Sequence, residues 1–128
     1  MDQGEQFLDH CHENNISEVK KCLSRGVDVN TVSGDGDWSG LIIAAWNDYS
    51  DLVDLLLAQP DIKINNTTRH FPRLQWTALM FACEAGNPDI VSRLVEVPGL
   101  DRTSTTKMRM VKLQLTVLVP MLTLEDFL

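Results

Sequence analysis

The sequence lacks the features that would place the protein in a membrane. Its 128 residues contain no uninterrupted run of about eighteen apolar side chains, so no spanning helix is predicted. The first residues, Met1 to Glu5, do not form a basic and then apolar signal peptide. Gly4 does not directly follow Met, as myristoylation requires. These absences predict a protein without a membrane partner.

Cysteines and basic residues are both scarce. The three cysteines, Cys11, Cys22 and Cys83, cannot all pair within the chain, and none forms Cys-x-x-Cys. A reducing compartment is the simpler interpretation, so we expect the cytoplasm, with the nucleus as the alternative. Lys and Arg number 11 against 18 Asp and Glu, and a net charge of −7 repels phosphate backbones. Nucleic acid is therefore not an expected partner.

Motifs of the common catalytic and cofactor-binding folds are also missing. No G-x-x-x-x-G-K-[ST], G-x-S-x-G or H-E-x-x-H pattern occurs. Hydrophobic residues form 44% of the chain and charged residues 23%, as expected for one folded globular unit. The sequence therefore predicts a folded protein that is not an enzyme and holds no cofactor.

Three stretches of the chain resemble one another. Their first apolar positions, Phe7, Leu41 and Leu79, lie about 34 and about 38 residues apart. Each stretch has two short apolar bursts with helical spacing, separated by a polar break such as Asn47-Asp48 or Gly86-Asn87. The pattern predicts two antiparallel helices per repeat. Such a hairpin cannot bury both flanks alone, so neighbouring hairpins are expected to stack.

These stretches resemble ankyrin repeats. Thr77-Ala78-Leu79-Met80 matches the opening T-P-L-H of the family, and Gly26-Val27-Asp28-Val29-Asn30 matches its close, G-A-D-x-N. The resemblance implies an all-α fold, a short ankyrin-repeat solenoid of helix-turn-helix units with β-turn fingers at residues 31–37 and 66–76. The domain is predicted to span 1–101, with repeats at about 5–37, 38–75 and 76–101.

The repeat pattern stops near Arg102. Residues 102–128 carry four basic and two acidic side chains and contain no Gly, Ala, Asn or His. One interpretation is a divergent C-terminal cap. The other is a frame discontinuity in the gene or gene model, because a shift of one nucleotide permits codons for a fourth repeat opening. In either case the strand-like run from Leu113 to Val119 is an aggregation hazard.

Three side-chain groupings offer chemistry, and a structural role is favoured for each. His10-Cys11-His12 with Cys22 could suggest zinc, but adjacent helical residues point about 100° apart and cannot all face one ion. Cys83 occupies a small-residue position, where core packing is favoured over a thiol nucleophile. Gly34-Asp35-Gly36-Asp37 lacks the remaining calcium ligands and is predicted to be a finger turn. No metal site is therefore expected.

Tryptophans are the most informative candidates for binding. Trp38 and Trp76 precede the repeat openings, and Trp46 follows Ala44-Ala45. The resemblance implies that these positions lie on the concave face, where partners dock. Tryptophan is common at binding hot spots because it buries a large rigid surface. For Trp38 and Trp76, packing on a neighbouring finger of the same chain stays open as the alternative, whereas Trp46 favours binding.

The predicted partner-binding residues include four carboxylates and no Lys or Arg. They are Trp38, Trp46, Asn47, Trp76, Glu84, His12, Glu13, Asp35 and Asp37. The acidic character predicts a protein partner with a Lys- or Arg-bearing segment. The resulting hypothesis is a monomeric protein–protein interaction module without catalysis. The alternative is an inert, uncapped fragment of a longer ankyrin-repeat protein.

Overall fold

The described part of the chain is built from helix pairs. The computed structural model describes residues 2–69 and 76–99, and within them lie six helices and an isolated antiparallel bridge. The helices are α1 (Gln3–His12), α2 (Ile16–Ser24), α3 (Gly40–Trp46), α4 (Ser50–Leu57), α5 (Ala78–Ala85) and α6 (Pro88–Val95). The first, third and fifth helices stack as inner helices, and the others pack behind them. This confirms the predicted all-α solenoid of helix-turn-helix units.

Each inner helix begins with a side-chain cap. The Asp2 carboxylate accepts a hydrogen bond from the Gly4 N–H at 2.7 Å. The Ser39 and Thr77 hydroxyls accept from the backbone N–H three residues further on, at 3.2 and 3.4 Å. Such caps satisfy N–H groups that have no partner within the helix, and losing one costs about 1 kcal/mol. The Thr of the repeat opening is therefore a helix start signal.

The turns inside the helix pairs use left-handed backbone. Asn14, Asp48 and Gly86 have φ values of 55°, 60° and 75°. Asn and Asp tolerate this region better than other residues with a side chain, and Gly has no Cβ to clash. Pro88 then occupies the first turn of α6, where its missing N–H costs nothing. The polar breaks predicted from the sequence are these turns.

Hydrogen bonds close the fingers between repeats. In the first finger, Val32 pairs with Ser39 in an antiparallel bridge, and the Ser33 N–H donates to the Trp38 carbonyl at 3.0 Å. The Thr68 N–H donates to the Trp76 carbonyl at 3.0 Å and closes the base of the second finger. The two chain segments at the base of each finger are therefore held together by backbone hydrogen bonds beside the inner helices.

Asparagines tie the end of one repeat to the next. The Asn30 amide donates to the Asp61 carbonyl at 2.7 Å and accepts from the Lys63 N–H at 2.8 Å. One repeat later, the Asn65 amide donates to the Gly99 carbonyl at 2.8 Å. This recurrence explains why the closing motif of the repeat contains Asn: its side chain satisfies backbone groups of the following loop.

A second set of hydrogen bonds lies at the C-terminal ends of the inner helices α1 and α3. The Tyr49 hydroxyl donates to the His12 carbonyl at the end of α1 at 3.0 Å. The Asn87 amide donates to the Ala45 carbonyl near the end of α3 at 2.9 Å. Both donors belong to the turn of the following repeat. Successive repeats are therefore joined by hydrogen bonds in two places as well as by apolar packing.

Small side chains allow the inner helices to approach closely. A methyl group added at Gly40 would lie 3.1 Å from Cys11 Sγ and 3.3 Å from Phe7 Cζ. Cys11, Cys22 and Cys83 are buried and free, which confirms the predicted packing role of Cys11 and Cys83. The interpretations of the segment from Arg102 onward, and of most of the second finger tip, concern residues outside the described ranges.

Candidate functional site

A groove opens where the first two inner helices meet the first finger. Its volume is about 340 Å³. Its lining residues come from α1, from the first finger and from α3; they are Leu8, His12, Ser33, Asp35, Trp38, Ile43, Trp46 and Asn47. We call this set the aromatic groove. It brings together five of the nine predicted binding residues: His12, Asp35, Trp38, Trp46 and Asn47.

Two half-buried tryptophans form the aromatic wall of the groove. Trp38 ends the first finger, where its N–H donates to the Ser33 hydroxyl and its carbonyl accepts from the Ser33 N–H, both at 3.0 Å. This reciprocal pair fixes the backbone from which the Trp38 ring projects. Trp46 is the last residue of α3, so its position depends on the helix itself. Leu8 and Ile43, both buried, supply apolar floor between them.

The rim of the groove is polar and exposed. His12 ends α1, Asn47 caps α3, and Asp35 lies at the turn of the first finger. The Asn47 amide donates to the Ile43 carbonyl at 2.8 Å, which holds this side chain against its own helix. The Asp35 carboxylate contributes the negative charge on the lining. An apolar wall beside an exposed carboxylate suits a side chain with an apolar stem and a cationic head.

Asp37, another of the predicted binding residues, forms an ion pair within the chain. Its carboxylate accepts a hydrogen bond from the Arg69 guanidinium at 3.0 Å, and the Arg69 N–H donates to the Gly36 carbonyl at 2.7 Å. Arg69 belongs to the second finger, so the pair joins the two fingers. The charge of Asp37 is thereby balanced within the chain, and the acidic character of the groove depends on Asp35.

The remaining predicted residues lie away from the described lining of the aromatic groove. Glu13 is exposed at the C-cap of α1, with its carboxylate 3.8 Å from His10 Nδ1. Glu84 is exposed near the end of α5. Trp76 is half-buried, and its ring centroid lies 5.4 Å from that of Phe81.

All three tryptophans contact one buried phenylalanine. The Phe81 ring centroid lies 4.9 Å from Trp38 and 5.4 Å from both Trp46 and Trp76. The alternative of packing within the chain therefore holds for these residues, and one such contact of each is with Phe81 in helix α5. For Trp38 and Trp46 the two interpretations are compatible, because both rings also line the groove.

Sequence reasoning missed Phe81 and three lining residues. Leu8, Ile43 and Phe81 are indistinguishable from ordinary core residues in a periodic apolar pattern. Ser33 gave a detectable signal, since a Ser five residues before Trp38 in a finger is a turn residue able to bond the backbone. Only the stacking of the repeats in the structure shows that Leu8 and Ile43 line the groove and that Phe81 contacts the tryptophans.

The groupings with metal or nucleophile chemistry do not converge. Cys11 and Cys22 are buried, whereas His12 is exposed in the groove. Burial raises the pKa of the Cys11 thiol to about 12, with a smaller contribution from Cys22, and burial raises that of Cys83 to about 12. Such thiols stay protonated and are poor nucleophiles near neutral pH. Within residues 2–69 and 76–99, no three His, Cys, Asp or Glu residues are grouped as a metal site requires.

Comparison with known families agrees with this architecture. A family model described as ankyrin repeats, in three copies, matches residues 7–106. The chain belongs to the ankyrin-repeat family. Ankyrin repeats are generally protein–protein interaction modules and are typically non-catalytic. No curated protein matches the chain. In the part of the chain that the structure describes, no helix has the length and apolar character needed to cross a bilayer.

Proposed function

We propose that the protein binds a polypeptide partner in the aromatic groove and performs no catalysis on it. The observation that carries this proposal is the assembly of two tryptophan rings and an exposed carboxylate, Asp35, in one cleft of about 340 Å³. Aromatic side chains beside apolar floor provide large, rigid contact area, which is typical of interface hot spots.

A segment bearing Lys or Arg is the proposed ligand. Cations are attracted to the faces of Trp rings and to carboxylates, and the net charge of −7 adds a long-range attraction. The proposed partner is therefore a protein with an exposed basic segment, bound by a monomer.

The proposed location is the cytoplasm. Its support is the presence of three free, buried thiols, which persist most simply in a reducing compartment.

Selection of peptides by the purified chain tests the proposal. We expect a phage-displayed library of random twelve-residue peptides to be enriched in sequences with Lys or Arg. The affinity of the best synthetic peptide, measured by titration calorimetry, should fall at least about ten-fold in Trp46→Ala, since loss of a hot-spot contact costs 1.4 kcal/mol or more.

A pair of isosteric variants provides the matched control. Asp35→Asn and Asp51→Asn each remove one exposed carboxylate and change the net charge equally, but only Asp35 lines the groove. We expect Asp35→Asn to weaken the peptide about three-fold and Asp51→Asn to leave affinity within error. Equal effects would show that overall charge, and not the groove, attracts the peptide.

The alternative of an inert fragment makes a different prediction. A chain that lacks a needed neighbour should unfold gradually, bind a hydrophobic dye and enrich no peptide family. We instead expect one cooperative thermal transition and no dye binding below it. Turnover of a substrate by the purified chain would contradict the non-catalytic part of the proposal.

A further inference from the structure

Phe81 connects tryptophans that are far apart in sequence. It lies in α5, has no solvent exposure, and contacts Trp38 from the first finger and Trp46 from the end of α3. Trp38 is tilted by 43° to its ring, and Trp46 meets it nearly edge-on at 83°. Edge-on and tilted pairs at these separations are favourable because the positive ring edge faces the negative ring face.

The described lining of the aromatic groove ends at Asn47, before the third repeat begins. Trp38 and Trp46 are two of its lining residues, yet both pack on a residue of that third repeat. The backbone of Trp38 is fixed by Ser33, but a backbone hydrogen bond does not fix the direction of the ring. The ring direction is set by what the ring packs against, and part of that support is Phe81.

We propose that Phe81 is the positioning residue of the aromatic groove, holding Trp38 and Trp46 in the orientation that keeps the groove open to a cationic side chain. This inference depends on the proposed function for its ligand. Replacing the Phe81 ring with a flexible, non-aromatic side chain removes the tilted and edge-on contacts that hold both tryptophans, so either ring is free to turn. The rings would then turn away from the lining, and their faces would be lost to the ligand.

Binding in the groove and packing of the third repeat are consequently linked. A ligand that requires the present orientation of Trp38 and Trp46 favours the conformation in which Phe81 supports them. By reciprocity, a change at Phe81 lowers ligand affinity although Phe81 is absent from the lining. A merely structural residue of the same repeat lacks this link to the two rings.

Two variants of Phe81 distinguish the effect of its aromatic ring from the effect of its volume. Phe81→Met keeps most of the volume without an aromatic ring, and Phe81→Tyr keeps the ring. The full chain carries each variant, and the probe is the best basic peptide from the selection above. Measurements are made at a temperature where far-UV circular dichroism shows every variant to be folded. We expect Phe81→Met to weaken the peptide at least about ten-fold and to reduce the near-UV tryptophan signal. Phe81→Tyr should retain both.

Leu94→Ala is the control for general damage to the third repeat. Leu94 is buried in α6 of the same repeat and is not among the residues that line the groove. We expect peptide affinity within two-fold of the unaltered chain and an unchanged near-UV spectrum. The inference is overturned if Phe81→Met binds within two-fold of the unaltered chain, or if Leu94→Ala weakens binding as much.

Failure of the proposed function would be distinguishable from failure of this inference. If the unaltered chain binds no peptide, the proposed ligand is wrong, and the near-UV spectrum alone decides the role of Phe81. A tryptophan signal lost in Phe81→Met and kept in Phe81→Tyr and Leu94→Ala supports the positioning role. A signal unchanged in Phe81→Met overturns it.

Discussion

The inner helices α1 and α3 occupy equivalent places in successive repeats but differ in how much of their surface is buried. Helix α1 packs against α2 and α3, and it exposes Gln3, Glu5, Gln6 and Asp9. Helix α3 packs against α1, α4 and α5, and every residue from Gly40 to Ala45 is buried. The same element is therefore amphipathic in one repeat and apolar on all sides in the next.

This difference explains the residue types that each helix uses. Contact on three sides leaves Gly40 to Ala45 of α3 without access to water, and small residues such as Ala44 and Ala45 allow close approach. Contact on two sides leaves α1 a free face that must be polar. The position of a helix in the stack, more than its place in the repeat, decides its composition.

A charge placed in each helix is the strongest test of this comparison. Ala44 is fully buried, so Ala44→Glu puts a carboxylate where neither water nor a partner is present. We expect a loss of more than about 4 kcal/mol in the free energy of unfolding, or failure to fold. Gln6→Glu on the exposed face of α1 should change it by less than about 0.5 kcal/mol. Denaturant unfolding followed by circular dichroism measures both, and similar losses would refute the difference in surroundings.

A substitution at Gly40 tests how closely α1 and α3 pack against each other. Gly40→Ala adds a methyl group 3.1 Å from Cys11 Sγ, and we expect destabilisation of about 1 to 3 kcal/mol from overpacking. In the background of Cys11→Ala the sulfur is absent, and the cost of Gly40→Ala should be smaller. Denaturant titration of the four proteins gives the coupling energy. Strict additivity would show that the helices adjust their separation freely.

Hydrogen bonds at the C-terminal ends of α1 and α3 provide a further test of the comparison. Asn87 donates to the Ala45 carbonyl of α3 in a buried setting, so Asn87→Ala leaves that carbonyl without this partner. We expect a loss of about 1 to 2 kcal/mol. Tyr49→Phe removes the exposed bond to the His12 carbonyl of α1, where water can replace the hydroxyl, and should cost about 0.5 kcal/mol. Thermal unfolding by calorimetry should rank the two; the opposite ranking would contradict the assignment of buried and exposed ends.

The smallest effect is expected at an exposed ion pair on α2. A hydrogen bond from Lys21 at 3.0 Å, followed by the charge of Lys21, lowers the pKa of the Glu18 carboxyl below its ordinary value of 4.5. Because the pKa is lower in the folded state, the stabilisation is present above that ordinary value and is lost as pH falls through the lowered pKa. Lys21→Met should flatten this part of the stability profile slightly. A steeper profile in the variant would contradict the pairing.

Much of the local structure could be predicted from the sequence. The caps at Ser39 and Thr77, the turn at Gly86 and the helix start at Pro88 depend on residues within a few positions of one another. The spacing of the repeats follows in the same way from recurring local patterns. Five of the eight residues that line the groove could also be predicted, because they lie at recurring places of the repeat. They are His12, Asp35, Trp38, Trp46 and Asn47.

The sequence by itself determined that each repeat contains two helices separated by a turn and that these hairpins must stack, since short-range sterics and apolar periodicity settle these features. Only the tertiary structure decided that Asp37 pairs with Arg69 and that Trp38, Trp46 and Trp76 meet on Phe81. Those contacts depend on the rotation and offset between successive repeats. No local pattern encodes that geometry, because it arises from the packing of the side chains of several helices at once.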